Sequence, residues 1–402
     1  MPPTRPRKPT RKAPSAAAPR RPGQARKAAA PGGAGTAVAG PEGSPGPEPG
    51  RLAAPLLRWF REEGRHDLPW QREPTPYRVW VSEVMLQQTQ VATVVRYYDR
   101  FVTRFPDVFA LADAPLDAVL HLWSGLGYYA RARNLHRAAR VIRDEHDGEF
   151  PRDFDVIADL PGIGLSTAGA ILALARDERH AILDGNVKRV LARWFAVPGF
   201  PGSSRTTKEL WRLSEAVTPR ANAGEFTQAI MDLGATLCTR ANPACERCPI
   251  GGDCRAHTLG RTADFPAVRP PRARPHREVV WLVLKREGAY LLEQRPASGI
   301  WGGLWGFPEF ANRAQAESAL QAAGGHLHAP AGSEATITHS FSHFDLTITP
   351  LIADVAIDAA RVMEGPPHTW YNSRAPASLG LAAPVSTLLR ELESEGDAES
   401  TS

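Results

Sequence analysis

The segment Leu160-Pro161-Gly162-Ile163-Gly164 lies between two stretches with helical patterning, Asp153 to Ala158 and a helix that opens at Ser166. Two glycines at this spacing allow a tight hairpin whose backbone N–H groups point outward beside the N-terminus of the second helix. Such amides can bind one DNA phosphate, although an ordinary turn between helices also uses glycine. The segment therefore predicts helix, hairpin and helix, with Gly162 and Gly164 in the turn.

The helical pattern extends on both sides of this segment, from Leu52 to about residue 237. The polar run Gln87-Gln88-Thr89-Gln90 interrupts it once, and Thr89 is placed to cap the helix that follows. The other predicted helices are Arg78 to Leu86, Val91 to Val102, Leu116 to Trp123, Ala130 to Glu145, Ser166 to Arg176, Val187 to Phe195, Thr207 to Ala216 and Glu225 to Leu237. These segments predict an almost all-helical domain over residues 51–258.

The chain changes character after residue 258. Residues 259–277 carry four prolines and five arginines without apolar periodicity, which indicates an interdomain linker. Residues 278–392 then predict a small α+β domain, because Val279 to Leu284 and Tyr290 to Glu293 flank Glu287-Gly288 as a hairpin. A strand at 344–353 and helices at 314–323 and 385–392 complete it. Residues 393–402 are acidic and polar and are predicted to be frayed.

The positive charge of the chain is concentrated in its first fifty residues. This segment holds nine Lys or Arg against Glu42 and Glu48, a net charge of +7, while the whole chain of 402 residues carries +5. The remaining residues therefore sum to −2. With twelve prolines and hardly any large apolar residue, residues 1–50 cannot bury enough surface to fold and are predicted to be a disordered basic tail. A transit peptide is the alternative, but the prolines break the amphipathic helix it needs.

Length and composition exclude several classes of protein. A chain of 402 residues exceeds what one hydrophobic core usually supports, so at least two domains are expected. No apolar run reaches the roughly 18 residues of a membrane helix, which excludes a membrane-spanning protein. All four cysteines lie between Cys238 and Cys254, which is inconsistent with a disulfide framework spread over a secreted fold.

The clustered cysteines indicate a metal centre. Their spacing is Cys238-x6-Cys245-x2-Cys248-x5-Cys254, among polar and turn-forming residues rather than in an apolar stripe. A four-thiolate zinc site usually shows two Cys-x2-Cys pairs and this chain has one, so the uneven spacing favours an iron-sulfur cluster over zinc.

Two carboxylates have surroundings that suit acid and base chemistry. Glu83 lies between Trp80 and Met85, where partial burial would raise its pKa toward that of a general acid. Asp184 follows an apolar stretch and precedes a helix. An isolated aspartate in that position is most often a helix cap, and an isolated glutamate on a helix is most often solvated.

Four stretches together resemble the MutY-type adenine DNA glycosylases: residues 76–90, 125–132 and 183–189 and the four-cysteine spacing. The resemblance runs from about residue 52 to 392. It implies an all-α helix-hairpin-helix glycosylase domain with an iron-sulfur cluster loop, followed by a small α+β Nudix-like domain. It also implies an enzyme that removes adenine mispaired with 8-oxoguanine or guanine in double-stranded DNA, acts as a monomer and carries a 4Fe-4S cluster on the four cysteines. A cytoplasmic, nucleoid-associated bacterial location is expected with it.

The resemblance assigns roles to individual residues. Glu83 matches the family's general acid, which protonates adenine N7, and Asp184 matches the carboxylate that stabilises the sugar cation. Gln88 and Tyr128 match side chains that enter the duplex when adenine leaves the stack, and Asn186 and Gln228 match positions near the flipped base or Asp184. Without the family, Gln88 would be a surface turn residue and Tyr128 a core aromatic.

Ser166 occupies the position at which related strand-cutting glycosylases carry a lysine nucleophile. A serine cannot form a Schiff base with the sugar, so the sequence predicts hydrolysis without efficient strand cleavage.

The second domain matches the family's reader of the oxidised guanine through His339, Phe341, Ser342 and His343, with Ser342 favoured as the reader. Read alone, that segment would merely lead into an edge strand. Gly303-x5-Glu309 begins a Nudix box, but the positions that need metal-binding carboxylates hold Ser318, Gln321 and Ala322. Nucleotide hydrolysis is therefore not expected.

Three function classes follow from these observations. The first is a glycosylase that only hydrolyses the base, the second a related glycosylase that also cuts the strand, and the third a metal-bearing DNA-binding protein without catalysis. The absence of a lysine at position 166 opposes the second class. The presence of both Glu83 and Asp184 opposes the third.

Overall fold

The computed structural model describes residues 46–269, 273–327, 335–355 and 366–399, the side chains of 395–399 excepted. The predicted basic tail lies outside the described residues up to residue 45. Within the described ranges no helix is long and apolar enough to cross a membrane.

The first region is helical, as predicted. Its helices are α1 (Ala53–Glu63), α2 (Pro76–Leu86), α3 (Val91–Arg104), α4 (Val108–Asp113), α5 (Leu116–Trp123), α6 (Ala130–Glu145), α7 (Phe154–Asp159), α8 (Leu165–Arg176), α9 (Gly185–Trp194), α10 (Ser204–Val217), α11 (Ala223–Thr236) and α12 (Arg255–Thr258). The predicted bounds of α5 and α6 agree with the structure. The short helix α4 was not predicted.

Side-chain caps fix several helix starts. Thr75 accepts a hydrogen bond from the Arg78 N–H at the start of α2, and Asp107 and Ser203 cap α4 and α10 in the same way. The predicted cap by Thr89 is wrong. Gln90 occupies the N-cap position of α3 without a side-chain bond, and the Thr89 hydroxyl instead accepts from Arg131.

The second region is α+β. Its strands are β1 (His276–Arg286), β2 (Ala289–Gln294), β3 (Trp305–Gly306), β4 (Glu309–Phe310), β5 (Gly325–Leu327), β6 (Ile337–Ser340), β7 (Asp345–Val355) and β8 (His368–Tyr371), and its helices are α13 (Arg313–Ala322) and α14 (Ala383–Glu399). In the described residues the sheet order is β3-β2-β1-β7-β5, with β1 and β7 parallel in the centre.

The predicted hairpin between β1 and β2 is confirmed. Lys285 pairs with Tyr290 and Arg286 with Ala289, so Glu287 and Gly288 form a two-residue turn. Both turn residues have positive φ, 50° and 77°, which is the backbone conformation that matches the twist of the two strands.

Two boundaries differ from the sequence prediction. Phe265 is buried, and the Arg193 Nε donates to the carbonyl oxygens of Thr262 and Phe265, so the first part of the predicted linker 259–277 packs on the helical domain. At the other end α14 runs to Glu399, beyond the predicted domain end at residue 392. The segment predicted to be frayed is therefore helical as far as Glu399.

One apolar core joins the two regions. Leu120 and Trp123 of α5 belong to the same buried cluster as Leu304, Trp305 and Leu381 of the second region. A second cluster lies between α1, α9, α10 and α11, and three of the cysteines pack against it. The first core therefore fixes how the sheet sits against the helices that carry the candidate site.

Candidate active site

A cleft of about 430 Å³ opens between α2, α8, α9 and α11. Six of the site residues predicted from the sequence line it: Glu83, Gln88, Ser166, Asp184, Asn186 and Gln228. Arg65 and Trp70 are among the lining residues that were not predicted. These residues come from positions far apart in the chain. The fold therefore brings the predicted chemistry together in one place.

Glu83 reaches the cleft from the last turns of α2. Burial, followed by the nearby negative charge of Asp184, raises the pKa of its carboxyl group to about 8. An acid with this pKa is mostly protonated at neutral pH. Glu83 can therefore donate a proton to a group bound in the cleft.

Asp184 is both the cap of α9 and a wall of the cleft. Its Oδ1 accepts a hydrogen bond from the Val187 N–H at 2.8 Å. Burial raises the pKa of Asp184, while the backbone N–H groups of Val187 and Asn186 and the charges of Arg189 and Lys188 act against that rise. The predicted helix cap is confirmed, and the same residue lines the cleft, as its predicted role as a site carboxylate requires.

Ser166 and Asn186 hold the segment around Asp184. The Ser166 hydroxyl accepts from the Leu183 N–H at 2.9 Å, which ties the start of α8 to the residue before Asp184. Asn186 accepts from Arg189 Nη2 at 2.8 Å, and Arg189 Nε donates to the Cys238 carbonyl at 2.7 Å. A hydrogen-bonded chain therefore joins the cleft to the cysteine loop.

A buried polar network forms the rear of the cleft. Gln228 Nε2 donates to Asp232 Oδ1 at 3.0 Å, and Arg65 binds Asp232 through Nη2 at 2.6 Å and through its backbone N–H at 2.9 Å. Asp232 is fully buried. Sequence reasoning missed Arg65 and Asp232, although an aspartate four residues after Gln228 in an otherwise apolar helix face was a usable signal.

A second groove, of about 620 Å³, lies between the helical domain and the sheet domain. It shares Gln87 and Gln88 with the first cleft and is also lined by Tyr128 and the predicted reader segment: His339, Phe341, Ser342 and His343. Tyr128 is 48% exposed, which rules out the alternative of a core aromatic. The residues predicted to enter the duplex and to read its opposite base thus face one groove.

The reader segment rests on an aromatic cluster. His339 lies in strand β6, one residue before its end at Ser340, and the segment then leads into β7, which is paired on both sides and is not the edge strand of the alternative interpretation. The Trp301 ring lies 5.4 Å from that of His339 and 5.2 Å from that of Phe341, and Phe341 stacks on Phe344 at 4.6 Å. Ser342 and His343 are exposed at the tip. Packing therefore fixes the base of the loop while its polar tip faces the groove.

Glu309, which ends the partial Nudix box, accepts hydrogen bonds within the sheet domain. Glu309 receives hydrogen bonds from Arg295 at 3.0 and 3.1 Å and from Trp281 Nε1 at 3.3 Å. These donors engage both oxygens of the Glu309 carboxylate, so Glu309 joins β4 to β1 and to the segment after β2.

The hairpin predicted at 160–164 joins α7 to α8. Gly162 has a φ of +80°, and a Cβ at this position would lie 2.6 Å from the Cβ of Asn134. Gly164 is the N-cap of α8, with open space around it. Gly162 is thus required by the backbone and by packing, whereas Gly164 keeps the approach to the helix N-terminus clear.

Four cysteine thiols surround a small cavity beside Arg193 and His257: Cys238, Cys245, Cys248 and Cys254. None of them forms a disulfide. Arg193 is buried and directs Nη1 to Cys238 Sγ at 3.4 Å and to the Thr239 carbonyl at 2.6 Å. In the described residues no three His, Cys, Asp or Glu side chains converge on a single ion position. The donor set of four thiols around one cavity suits a cluster of several iron atoms.

Comparisons with known proteins agree with this arrangement. Residues 81–216 match the family described as HhH-GPD superfamily base excision DNA repair protein, and residues 279–391 match the NUDIX domain family. The adenine DNA glycosylase of Buchnera aphidicola from Acyrthosiphon pisum is 37% identical over 84% of this chain and 96% of its own. That of Rattus norvegicus is 38% identical over 73% of this chain and 68% of its own.

A solved thermostable thymine-DNA glycosylase covers 53% of this chain and 97% of its own at 27% identity, with a TM-score of 0.47. The match to the Buchnera enzyme covers 84% of this chain and 96% of that enzyme. This chain therefore belongs to the adenine DNA glycosylase family, as an enzyme with a helix-hairpin-helix domain and a Nudix-like second domain.

Proposed function

We propose that this glycosylase removes adenine mispaired with 8-oxoguanine, or with guanine, by hydrolysing the N-glycosidic bond and leaving an abasic site. The observation that carries the proposal is the pairing of Glu83 and Asp184 in one cleft, with the pKa of Glu83 raised to about 8. Adenine is a poor leaving group, and its departure leaves positive charge on the sugar. A protonated Glu83 can protonate the departing adenine, and an ionised Asp184 can stabilise the positive charge on the sugar.

In the proposed reaction Glu83 donates its proton to adenine N7 as the glycosidic bond breaks. Asp184 then stabilises the sugar cation, or bonds to it transiently, from the other side of the cleft. The ionised Glu83 next takes a proton from water that attacks the sugar, which gives a product of retained configuration. Because Ser166 stands where a lysine would be needed, the enzyme leaves the strand uncut.

The adenine must leave the helix stack to reach Glu83. In the proposal Gln88 and Tyr128 fill the space it vacates, which is supported by their exposure and by their common place in the second groove. Asn186 and Gln228 contact the flipped base or orient Asp184. The N–H groups of the 162–164 hairpin bind a phosphate of the same strand.

The sheet domain reads the opposite base in this proposal. In 8-oxoguanine N7 is a donor and an oxygen stands at C8, so a hydroxyl beside an exposed backbone amide distinguishes the lesion from guanine. Ser342 is exposed at the groove with Phe341 and His343 beside it, which supports this role. His339 lies at the base of the loop, where burial lowers its pKa and keeps the ring neutral.

The four cysteines hold a 4Fe-4S cluster in this proposal. Such a cluster would be a structural support for the loop that Arg189 and Arg193 tie to α9. Iron and acid-labile sulfide analysis of anaerobically purified protein should find both, with absorbance near about 400 nm. Stoichiometric zinc without iron would contradict the assignment.

The function is tested with four duplexes that carry adenine opposite 8-oxoguanine, guanine, cytosine or thymine. After incubation, samples are split and one half is treated with alkali, which cuts the strand at abasic sites. We expect fast cleavage for 8-oxoguanine, slower cleavage for guanine and little for the other two, in each case only after alkali. Strand breaks without alkali would refute the hydrolysis-only mechanism, and equal rates on all four duplexes would refute the selectivity.

A further inference from the structure

Arg131 is a buried cation between the two elements that face the groove. Only 8% of its surface is exposed. It lies in the first turn of α6, three residues after Tyr128. The polar turn that holds Gln88 precedes it by 44 residues in the sequence, counted from Gln87. The proposed mechanism gives it no role.

Its two terminal nitrogens contact six oxygen acceptors on two separate segments. Nη1 donates to the carbonyls of Val84, Met85 and Gln87 at 3.0, 2.7 and 2.5 Å, which closes the C-terminal end of α2. Nη2 donates to Thr89 Oγ1 and to the carbonyls of Leu126 and Gly127, each at 3.0 Å. One guanidinium therefore links the turn that carries Gln88 to the loop that carries Tyr128.

The two linked residues have unusual backbone conformations. Gln88 has a φ of 58° and Tyr128 a φ of 49°, and neither is a glycine. Such conformations are costly and persist only where the surroundings impose them. The Arg131 guanidinium also lies 5.5 Å from the Tyr128 ring centroid, so it supports that side chain from beneath.

No carboxylate pairs with Arg131 among the described residues. Burial lowers the pKa of Arg131 to about 10, so its side chain still carries a charge at neutral pH. A buried charge that is balanced by carbonyl and hydroxyl dipoles and by a ring face depends on those contacts. Moving either segment would therefore disturb the other.

Resting on the proposed function, we infer that Arg131 is the positioning residue for base flipping and that it holds Gln88 and Tyr128 as one rigid wedge. The two side chains enter the duplex together because one guanidinium fixes the backbone of both. Lysine can keep the charge at this position. It lacks the planar fork that reaches both segments at once.

The test compares Arg131→Lys with Arg140→Gln, a change of an exposed arginine on the same helix. Flipping is followed by the fluorescence of 2-aminopurine placed beside the target nucleotide. The target is 2′-fluoro-2′-deoxyadenosine opposite 8-oxoguanine, which resists cleavage because fluorine disfavours a sugar cation. Single-turnover rates are measured on the ordinary adenine duplex, and affinity is measured on undamaged duplex.

For Arg131→Lys we expect the fluorescence rise to be lost and the single-turnover rate to fall by about tenfold or more, since several charge-assisted hydrogen bonds are removed. Affinity for undamaged duplex should stay within about twofold, because phosphate contacts dominate it. The rate deficit should shrink when adenine stands opposite an abasic-site analogue, where extrusion costs less. Arg140→Gln should match the wild type.

Thr89→Val tests the same link with a smaller change, in case Arg131→Lys does not fold. It removes one of the six contacts, and we expect a deficit of about threefold in the same two measurements. A normal fluorescence rise and rate in Thr89→Val and in any folded Arg131→Lys would overturn the inference. If the wild type itself shows no rise on the lesion duplex, the wedge assignment falls and this inference falls with it. If the wild type extrudes the base normally, a negative result in the variants refutes the role of Arg131 and leaves the proposed function standing.

Discussion

At the scale of single residues, two carboxylates of one cleft are given different chemistry by their neighbours. Burial and the charge of Asp184 both raise the pKa of Glu83 and so favour its protonated form. Burial raises the pKa of Asp184 as well, but two backbone N–H groups and two cationic side chains oppose that rise and favour its ionised form. In the proposed mechanism this difference assigns the role of acid to Glu83 and the role of anion to Asp184.

We expect Glu83→Gln to abolish adenine excision while lesion-duplex binding is kept, because an amide has no acidic proton to donate. Asp184→Asn should lose activity with little loss of stability, since asparagine caps a helix about as well as aspartate. Single-turnover assays, duplex titration and thermal melting check these expectations. Excision by either variant at the wild-type rate would refute the assignment.

The pH dependence of the reaction follows from the same environments. A carboxyl group with a raised pKa keeps its proton below that pKa and loses it above, so the acid form of Glu83 declines as pH rises through about 8. The single-turnover rate should therefore fall on the alkaline side of about pH 8. It should also fall at low pH as Asp184 becomes protonated. A rate that stays flat from about pH 7 to 9 would exclude Glu83 as the acid.

At the scale of elements, the turn between α7 and α8 depends on one of its two glycines more than on the other. A side chain at Gly162 meets both a left-handed backbone and the Cβ of Asn134, while Gly164 has neither restriction. We therefore expect alanine to destabilise the protein more at position 162 than at position 164.

Gly162→Ala should lower the free energy of unfolding by about 1–3 kcal/mol, because left-handed strain and overpacking add. It should also weaken duplex binding through a displaced phosphate site. Gly164→Ala should leave stability within about 0.5 kcal/mol, the usual range for an exposed substitution. Denaturant unfolding and duplex titration test both. Equal stability losses would show that the backbone at 162 is not the determinant.

At the scale of the whole molecule, the sheet domain is fixed to the helical domain by more than a covalent connection. Asp117 of α5 accepts hydrogen bonds from Gln294 Nε2 and Trp305 Nε1, both at 3.4 Å. Arg133 of α6 donates to the Gly302 carbonyl in the loop that carries Trp301. Polar contacts around a shared apolar core thus fix the position of the predicted reader segment relative to the cleft.

Asp117→Ala should lower the preference for 8-oxoguanine over guanine by about threefold to tenfold, since two interdomain hydrogen bonds are lost. The rate on adenine opposite guanine should change little. Asp113→Ala is the matched control, because Asp113 is exposed and its ion pair with Arg143 lies within the helical domain. The ratio of single-turnover rates on the two duplexes is the measurement. An unchanged ratio would mean that the domains read the two bases independently.

The sequence by itself determined the features that local chemistry fixes. Helix bounds such as 116–123 and 130–145, the Glu287-Gly288 hairpin and the cysteine cluster follow from periodicity, turn chemistry and spacing. The resemblance added the roles of Glu83 and Asp184, which the residues alone left beside the alternatives of solvated glutamate and helix cap. It could not show that Asp184 serves as a cap as well.

Only the tertiary structure decided the rest, because it depends on contacts between distant positions. Burial and the charge of Asp184 raise the pKa of Glu83 across a separation of about a hundred residues along the chain. The Arg65–Asp232 pair and the groove shared by Tyr128 and Ser342 also bring together residues that are far apart in the chain. Arg131 shows the reason most clearly, since no local pattern distinguishes it from its neighbouring arginines. Its six acceptors exist as a set only when two segments meet around its guanidinium.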